Sequence, residues 1–453
     1  MGFRDNFRDA KEWSQSTSGQ VNLNSPSDKA CKYFDSVVSQ LIGWYNGSSL
    51  GTSDEAVKHM LEEDSDFGAL DTTRLNMQLK KRVQDLNLLV ARHDHSKSRS
   101  VTDYERQHVR VVNLLADGKF KMATRELETI TTRYPECVYS LKLIQDLYFY
   151  LGSSFAMRSS VSGALPQINS SNPFKGYVHG MYSFALEESN QYAPAQYQAK
   201  LALSIVPNDT WAIHNYAHCL LMQGLTDEGL KWMYEKKADW LPCSVLSCHQ
   251  YWHTSLFHIN KGEYDQAVEY LDQEILTRCL SSSSGLDLHD AASLIYRMEL
   301  NDIFSKTTKL TEDPSIRWVG VRDMCKPYAK DHIVGFNDAH YMMSFLGSND
   351  FELVDELITS MNDVPTLVER DNVVIPLLES MMFYKKQDYS STIEKLFPIR
   401  HDIVKIGGSH AQRDVFEQLL LSASLKSEKP EHKKLAERLM FERRLSTNPA
   451  QSI

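Results

Sequence analysis

Three stretches decide the fold: Ala116-Asp117-Gly118-Lys119-Phe120-Lys121-Met122-Ala123, Glu188-Ser189-Asn190-Gln191-Tyr192-Ala193-Pro194-Ala195 and Asn260-Lys261-Gly262-Glu263-Tyr264-Asp265-Gln266-Ala267. In each, a residue that tolerates an unusual backbone angle is followed by an aromatic and then by a small residue at fixed offsets. Gly152 and Gly224 extend the set, so that Gly118, Gly152, Asn190, Gly224 and Gly262 recur at separations of 34, 38, 34 and 38 residues. Each marker separates two stretches of helical character, and Pro135 and Pro207 close the second stretch of their copies.

A beat of this length belongs to stacked helical hairpins. The expected fold class is therefore all-α, an α-solenoid of tetratricopeptide-type helical hairpins forming a right-handed superhelix of roughly ten to twelve pairs. Four segments are expected: an irregular lead-in over 1–26, helical hairpins and a polar linker over 27–100, core repeats over 101–285, and degenerate repeats with a capping helix over 286–453. A helix is predicted from Asp28, and Thr52 with Glu55 and Thr102 with Glu105 read as capping boxes. Leu75, Leu79, Val83, Leu86 and Val90 mark a further amphipathic helix, followed by a polar linker over 92–100. Beyond about residue 290 the beat blurs, although Tyr389 and Leu396 stand where repeat residues belong.

The balance of charges narrows the function. With 49 Lys+Arg against 59 Asp+Glu, the net charge is −10 and no long basic run occurs, so no nucleic-acid partner is expected. No window approaches the apolar length that crosses a membrane, and Met1-Gly2-Phe3-Arg4-Asp5-Asn6 lacks the layout of a secretory signal. Asn6 also stands where a myristoylation signal wants Ser or Thr. The seven cysteines are scattered with no C-x-x-C pair, which fits a reducing cytoplasmic location.

Histidines are the candidate chemistry. His214 and His218 fall at positions 5 and 9 of the fourth repeat, and His249 and His253 at positions 2 and 6 of the fifth. Each pair is spaced i, i+4 on one helix face, and both occupy positions that a helical-hairpin solenoid turns toward its concave groove. His108 holds position 5 of the first repeat. Beside Trp211, Tyr216, Tyr251 and Trp252 these rings could be half-buried packing aromatics; they could bind a peptide or small polar ligand; or two His-x-x-x-His helices could hold zinc. The His214–His218 stretch lacks the glutamate that supplies a general base in His-Glu-x-x-His enzymes, so no catalytic residue and no resident cofactor or metal is expected. Neutral imidazole is a poor clamp for a carboxylate, which disfavours the C-terminal tails of chaperones as partners.

Two C-terminal segments add candidates. Asn337 or Asp338 reads as an N-cap with His340 in the first turn, and Gly407-Gly408-Ser409-His410-Ala411-Gln412-Arg413-Asp414 is a Gly-Gly turn followed by a capping box. Arg413 and Asp414 could form an ion pair between repeats or offer a guanidinium to an anion.

Trp211-Ala-Ile-His-Asn-Tyr-Ala-His218, His249-Gln-Tyr-Trp-His253, Lys261-Gly-Glu-Tyr-Asp-Gln-Ala267, Asn337-Asp-Ala-His340 and Gly407-Gly-Ser-His-Ala-Gln-Arg-Asp-Val-Phe416 together closely resemble the tetratricopeptide repeat protein 38 family. The similarity runs from about Ala30 to the last helix. It implies a cytosolic repeat protein of poorly defined biochemical role. Leu221 and Leu70-Asp71 depart from the family pattern at positions where further ligands would stand. The expected function is a scaffold that binds a protein, peptide or small ligand through a concave His-rich face; an enzyme or metal-dependent ligand binder centred on His214, His218, His249 and His253 is the alternative.

Overall fold

The computed structural model describes residues 6–23, 25–64, 102–282, 284–309, 313–364 and 369–447. The expected helix over Leu75–Val90 and the linker over 92–100 lie outside them. Among the described residues the chain is all-helical, with a lone β-bridge between Ser48 and Gly51. No described helix is long and apolar enough to cross a membrane.

Local signals set the helix ends. Thr52, Thr102 and Ser409 form capping boxes with Glu55, Glu105 and Gln412, opening the helices Ser53–Glu63, Asp103–Ala116 and His410–Lys426. All five sequence markers adopt positive φ: Gly118 at 69°, Gly152 at 63°, Asn190 at 58°, Gly224 at 69° and Gly262 at 80°. At four of them the C-terminal backbone closes as a Schellman motif. The amides of Gly118 and Lys119 donate to Leu115 and Leu114, and the same register recurs at Asn190, Gly224 and Gly262.

The beat also continues past the point where the sequence loses it. Asp302, Asn349 and Gln387 adopt φ of 52°, 58° and 62°, and the last two close Schellman motifs of the same register. Two residues after Asn349 and Gln387, Phe351 and Tyr389 open new helices, as Phe120, Tyr192 and Tyr264 do after earlier markers. Five residues after the marker, Ala123, Ala195 and Ala267 are fully buried, which lets the two helices of a hairpin approach closely. Gly229 fills that place after Gly224, and a Cβ there would lie 2.1 Å from the Phe257 ring.

Packing gathers the chain into two compact units. In the first, Met1–Tyr148 with Ser154–Tyr216 and Ala238–Leu246, the helix Asp103–Ala116 pairs with Phe120–Arg133, and Lys175–Glu187 with Tyr192–Ile205. The lead-in differs from expectation, because Asp9 and Glu12 cap a helix over Ala10–Ser16. Arg8 anchors it through a buried ion pair with Asp35 at 2.7 Å, its guanidinium lying 3.8 Å from the Trp13 ring centre. Burial of that pair is what a local reading of a polar segment misses.

In the second unit, Phe149–Ser153 with Ala217–Lys237 and Ser247–Ile453, the helix Ser247–Lys261 is central. It packs against Thr226–Glu235, Tyr264–Tyr270 and Gly285–Leu300. Gly285–Leu300 in turn meets Gly335–Gly347 and His410–Lys426, and the last helix, Pro430–Thr447, lies on His410–Lys426.

Candidate metal centre

Two helices carry the site. Thr210–Met222 starts at Asp209, whose Oδ1 accepts from the amides of Trp211 at 3.0 Å and Ala212 at 3.2 Å and so fixes the first turn. Burial outweighs those two bonds and pushes the Asp209 carboxyl up to about 7. The helix is continuous and bears His214 one turn before His218. Ser247–Lys261 bears His249 and His253 with the same one-turn spacing.

In the second unit His218, His249 and His253 each offer a ring nitrogen, and these nitrogens all lie within 4.8 Å of one another, while His214 belongs to the first unit. The rings are interior: His214 is 1% exposed, His249 4%, and His218 and His253 are fully buried. His253 stands edge-on to both His218 and His249, with ring centres 4.4 and 4.7 Å apart. Trp211 stacks on His214, and Trp252 lies flat against His249, so indole rings restrict both pairs. The expected wall of accessible imidazoles is thus an interior cluster.

Hydrogen bonds fix two tautomers. His214 Nδ1 donates to Asn215 Oδ1 at 3.0 Å, and His249 Nδ1 donates to Asp290 Oδ1 at 2.8 Å. In both rings the lone pair then sits on Nε2. A carboxylate behind an imidazole is the outer arrangement that orients metal-binding histidines and raises their basicity. A tetrahedral zinc ion with Zn–N bonds near 2.0 Å would hold its ligand nitrogens about 3.3 Å apart, so the rings of His218, His249 and His253 would have to draw together to hold one.

A second donor group adjoins the first. Cys248, Asp287 and Asp290 also bring their donor atoms within 4.8 Å, and all three residues are buried. Burial pushes the Asp290 carboxyl up to about 6 and raises Asp287, while burial and the two carboxylates raise the Cys248 thiol. A thiol held protonated is a poor ligand, whereas neutral imidazoles bind without losing a proton. The chemistry of the donors therefore favours the imidazole group.

The other candidates separate from this cluster. His108, in the first unit, donates from Nδ1 to Tyr104 O at 2.9 Å and meets Ser140 Oγ at 2.9 Å through Nε2; burial lowers it to about 4. It is packed and hydrogen-bonded like a core residue. The helix Gly335–Gly347 is capped at Val334 and not by the side chain of Asn337 or Asp338. Asp338 Oδ1 instead accepts from His332 Nδ1 at 2.8 Å, a buried pair that takes the carboxyl away from the helix end. Asn337 is half-buried in the first turn. His340 Nδ1 donates back to Phe336 O at 2.7 Å, its ring centre is 4.9 Å from that of His289, and burial lowers it to about 4.

Arg413 and Asp414 do not pair with each other. Arg413 donates to Gly408 O, while Asp414 receives Arg297 at 3.0 Å and Arg443 at 2.5 Å. These two guanidiniums hold the Asp414 carboxyl below the ordinary range against the opposing effect of burial. The result is an ion-pair clasp at the start of His410–Lys426.

Sequence reasoning missed Asp290. It lies 41 residues after His249, and Ser293, which accepts the Trp252 indole N–H at 3.1 Å, lies 41 after Trp252. Counting about one period forward from each groove residue leads to its partner in the next hairpin. A search against protein-family models matched none of them to this chain.

Proposed function

We propose that this chain is a tetratricopeptide-type repeat scaffold carrying a divalent transition metal, zinc foremost, held in its second unit by His218, His249 and His253. The observation that carries the reading is the convergence of three buried imidazole nitrogens within 4.8 Å in the second unit, two of them an i, i+4 pair on Ser247–Lys261. Asp290 behind His249 supports it, because a carboxylate partner offsets part of the ion's charge and locks the ligating tautomer. Three imidazoles make an all-nitrogen donor set that suits zinc. The ion would tie His218, on the part of Thr210–Met222 that belongs to the second unit, to Ser247–Lys261.

The repeated Schellman turns with an aromatic two residues later support the tetratricopeptide-type reading, and a superhelix with a binding wall for a protein or peptide partner follows from it. The resemblance to the tetratricopeptide repeat protein 38 family leads the same way.

Elemental analysis of protein purified without affinity metals tests the site. Near one equivalent of zinc is expected, falling to background in a His218→Ala/His253→Ala variant whose circular dichroism still reports helix. Protein free of metal that also takes up no zinc in equilibrium dialysis overturns the reading and leaves the imidazoles as packing.

A further inference from the structure

A cleft of about 810 Å³ opens in the second unit, between the helix Thr226–Glu235 and the turn at Gly262. On its wall three side chains form a relay. Glu263 Oε2 accepts from His258 Nδ1 at 2.6 Å, and His258 Nε2, left with the lone pair, accepts from the Tyr234 hydroxyl at 2.8 Å. His258 is 3% exposed and so held in place, while Tyr234 is 47% exposed and presents its hydroxyl to the cleft.

A hydroxyl, an imidazole within hydrogen-bond reach and a carboxylate that orients the imidazole are the three parts of an activated nucleophile. The fold sets the spacing. Glu263 follows the Schellman turn, its amide donating to His258 O, so the turn itself returns the carboxylate to the ring one turn earlier.

The rim selects charge. Lys231, Lys261, Lys306 and Lys309 line the cleft together with the carboxylates Asp227, Glu263 and Asp265, so the lysines outnumber the acids by one. Lys261 is shared between Asp227 and Glu263, each at 3.2 Å, and Lys309 pairs with Glu269. Exposed pairs of this kind are weak, so the ammonium groups can turn to an incoming anion.

We infer that Tyr234 is an activated nucleophile that takes the acyl group of activated esters bearing a carboxylate. Tyr234 Oη attacks the ester carbonyl carbon and forms a new C–O bond. The phenolic proton passes to His258 Nε2, Glu263 stabilises the imidazolium, and the proton leaves with the departing oxygen as its bond to carbon breaks. The product is a tyrosyl ester. Burial lowers the His258 pKa below its usual value, against the pull of Glu263, so at neutral pH the ring is the base that the step requires.

The test uses the full chain with mono-p-nitrophenyl succinate and, as the neutral control, p-nitrophenyl acetate, with tyrosyl esters located by peptide mass spectrometry. Acylation at Tyr234 is expected at least tenfold faster than at Tyr197, which is more exposed at 65%. Succinate should transfer faster than acetate, the rate should level off above a midpoint below pH 6.5, and Glu263→Gln, an exposed change that spares the fold, should slow it at least threefold. Tyr197 labelled as fast as Tyr234, a rate that tracks phenol ionisation near pH 10, or a Glu263→Gln rate equal to wild type overturns the inference. Chelator treatment should leave these rates unchanged, which keeps the result separate from the metal reading.

Discussion

The helix Ser247–Lys261 ends in two different worlds. Toward its start, His249 and His253 are sealed among indoles and other imidazoles; near its end, His258 joins a carboxylate to a hydroxyl on the wall of a cleft. The side chain is the same and the chemistry is not. Away from water, with the His249 tautomer set by Asp290, the rings can serve as ligands; beside a cleft, with Glu263 behind it, a single ring can serve as a base. Environment, rather than residue type, assigns the role.

Breaking the dry end should cost most. Trp252 is fully buried against His249 and His253, so Trp252→Ala is expected to lose about 3–5 kcal/mol in denaturant unfolding, whereas Tyr234→Phe at the cleft removes one hydrogen bond to His258 and should cost about 1 kcal/mol. Equal costs would erase the contrast between the two ends.

Acid should act next, and on the dry side. His340 is held near pKa 4 by burial, against an ordinary value of 6.5. The unfolded chain therefore binds a proton between pH 6.5 and 4 that the folded chain refuses, so this contribution is complete above pH 6.5 and is lost as pH falls toward 4. The loss is on the order of 3 kcal/mol, and His340→Asn should flatten the stability profile across that window. An unchanged slope would show that His340 is not the group responsible.

Asp290→Asn sharpens the comparison from the metal side. It keeps the shape behind His249 and removes the charge, and zinc affinity measured by chelator competition should fall about 10–100-fold with the fold intact. A variant that binds as tightly as wild type would detach Asp290 from the site.

Smallest are the turn residues that set both helix ends. At Gly262 a Cβ meets nothing within 4 Å, so Gly262→Ala isolates the left-handed strain of φ +80° and should cost about 1 kcal/mol. Gln387→Gly relieves the same strain and, after the entropy lost to a freer unfolded chain, should gain about 0.5 kcal/mol. Thermal unfolding reads both signs.

These turns also show what the sequence could convey. Where a marker is glycine or asparagine, the left-handed turn and its hairpin are legible from composition, and all five expected markers have positive φ. Gln387 carries the same backbone without advertising it, because tertiary packing imposes the conformation on a residue that does not prefer it. The i, i+4 spacing of the histidine pairs was legible. Their burial was not, since helical spacing fixes which residues share a face but not what covers that face. Arg413 and Asp414 make the opposite point: neighbours in sequence diverge on a helix, and Asp414 found Arg297 and Arg443 instead.

Cobalt substitution tests the central claim most directly. Co(II) held tetrahedrally by His218, His249, His253 and one solvent ligand should give intense visible d–d bands with no thiolate charge-transfer band in the near ultraviolet. A pale octahedral spectrum, or a thiolate band that disappears in Cys248→Ser, would contradict the imidazole site.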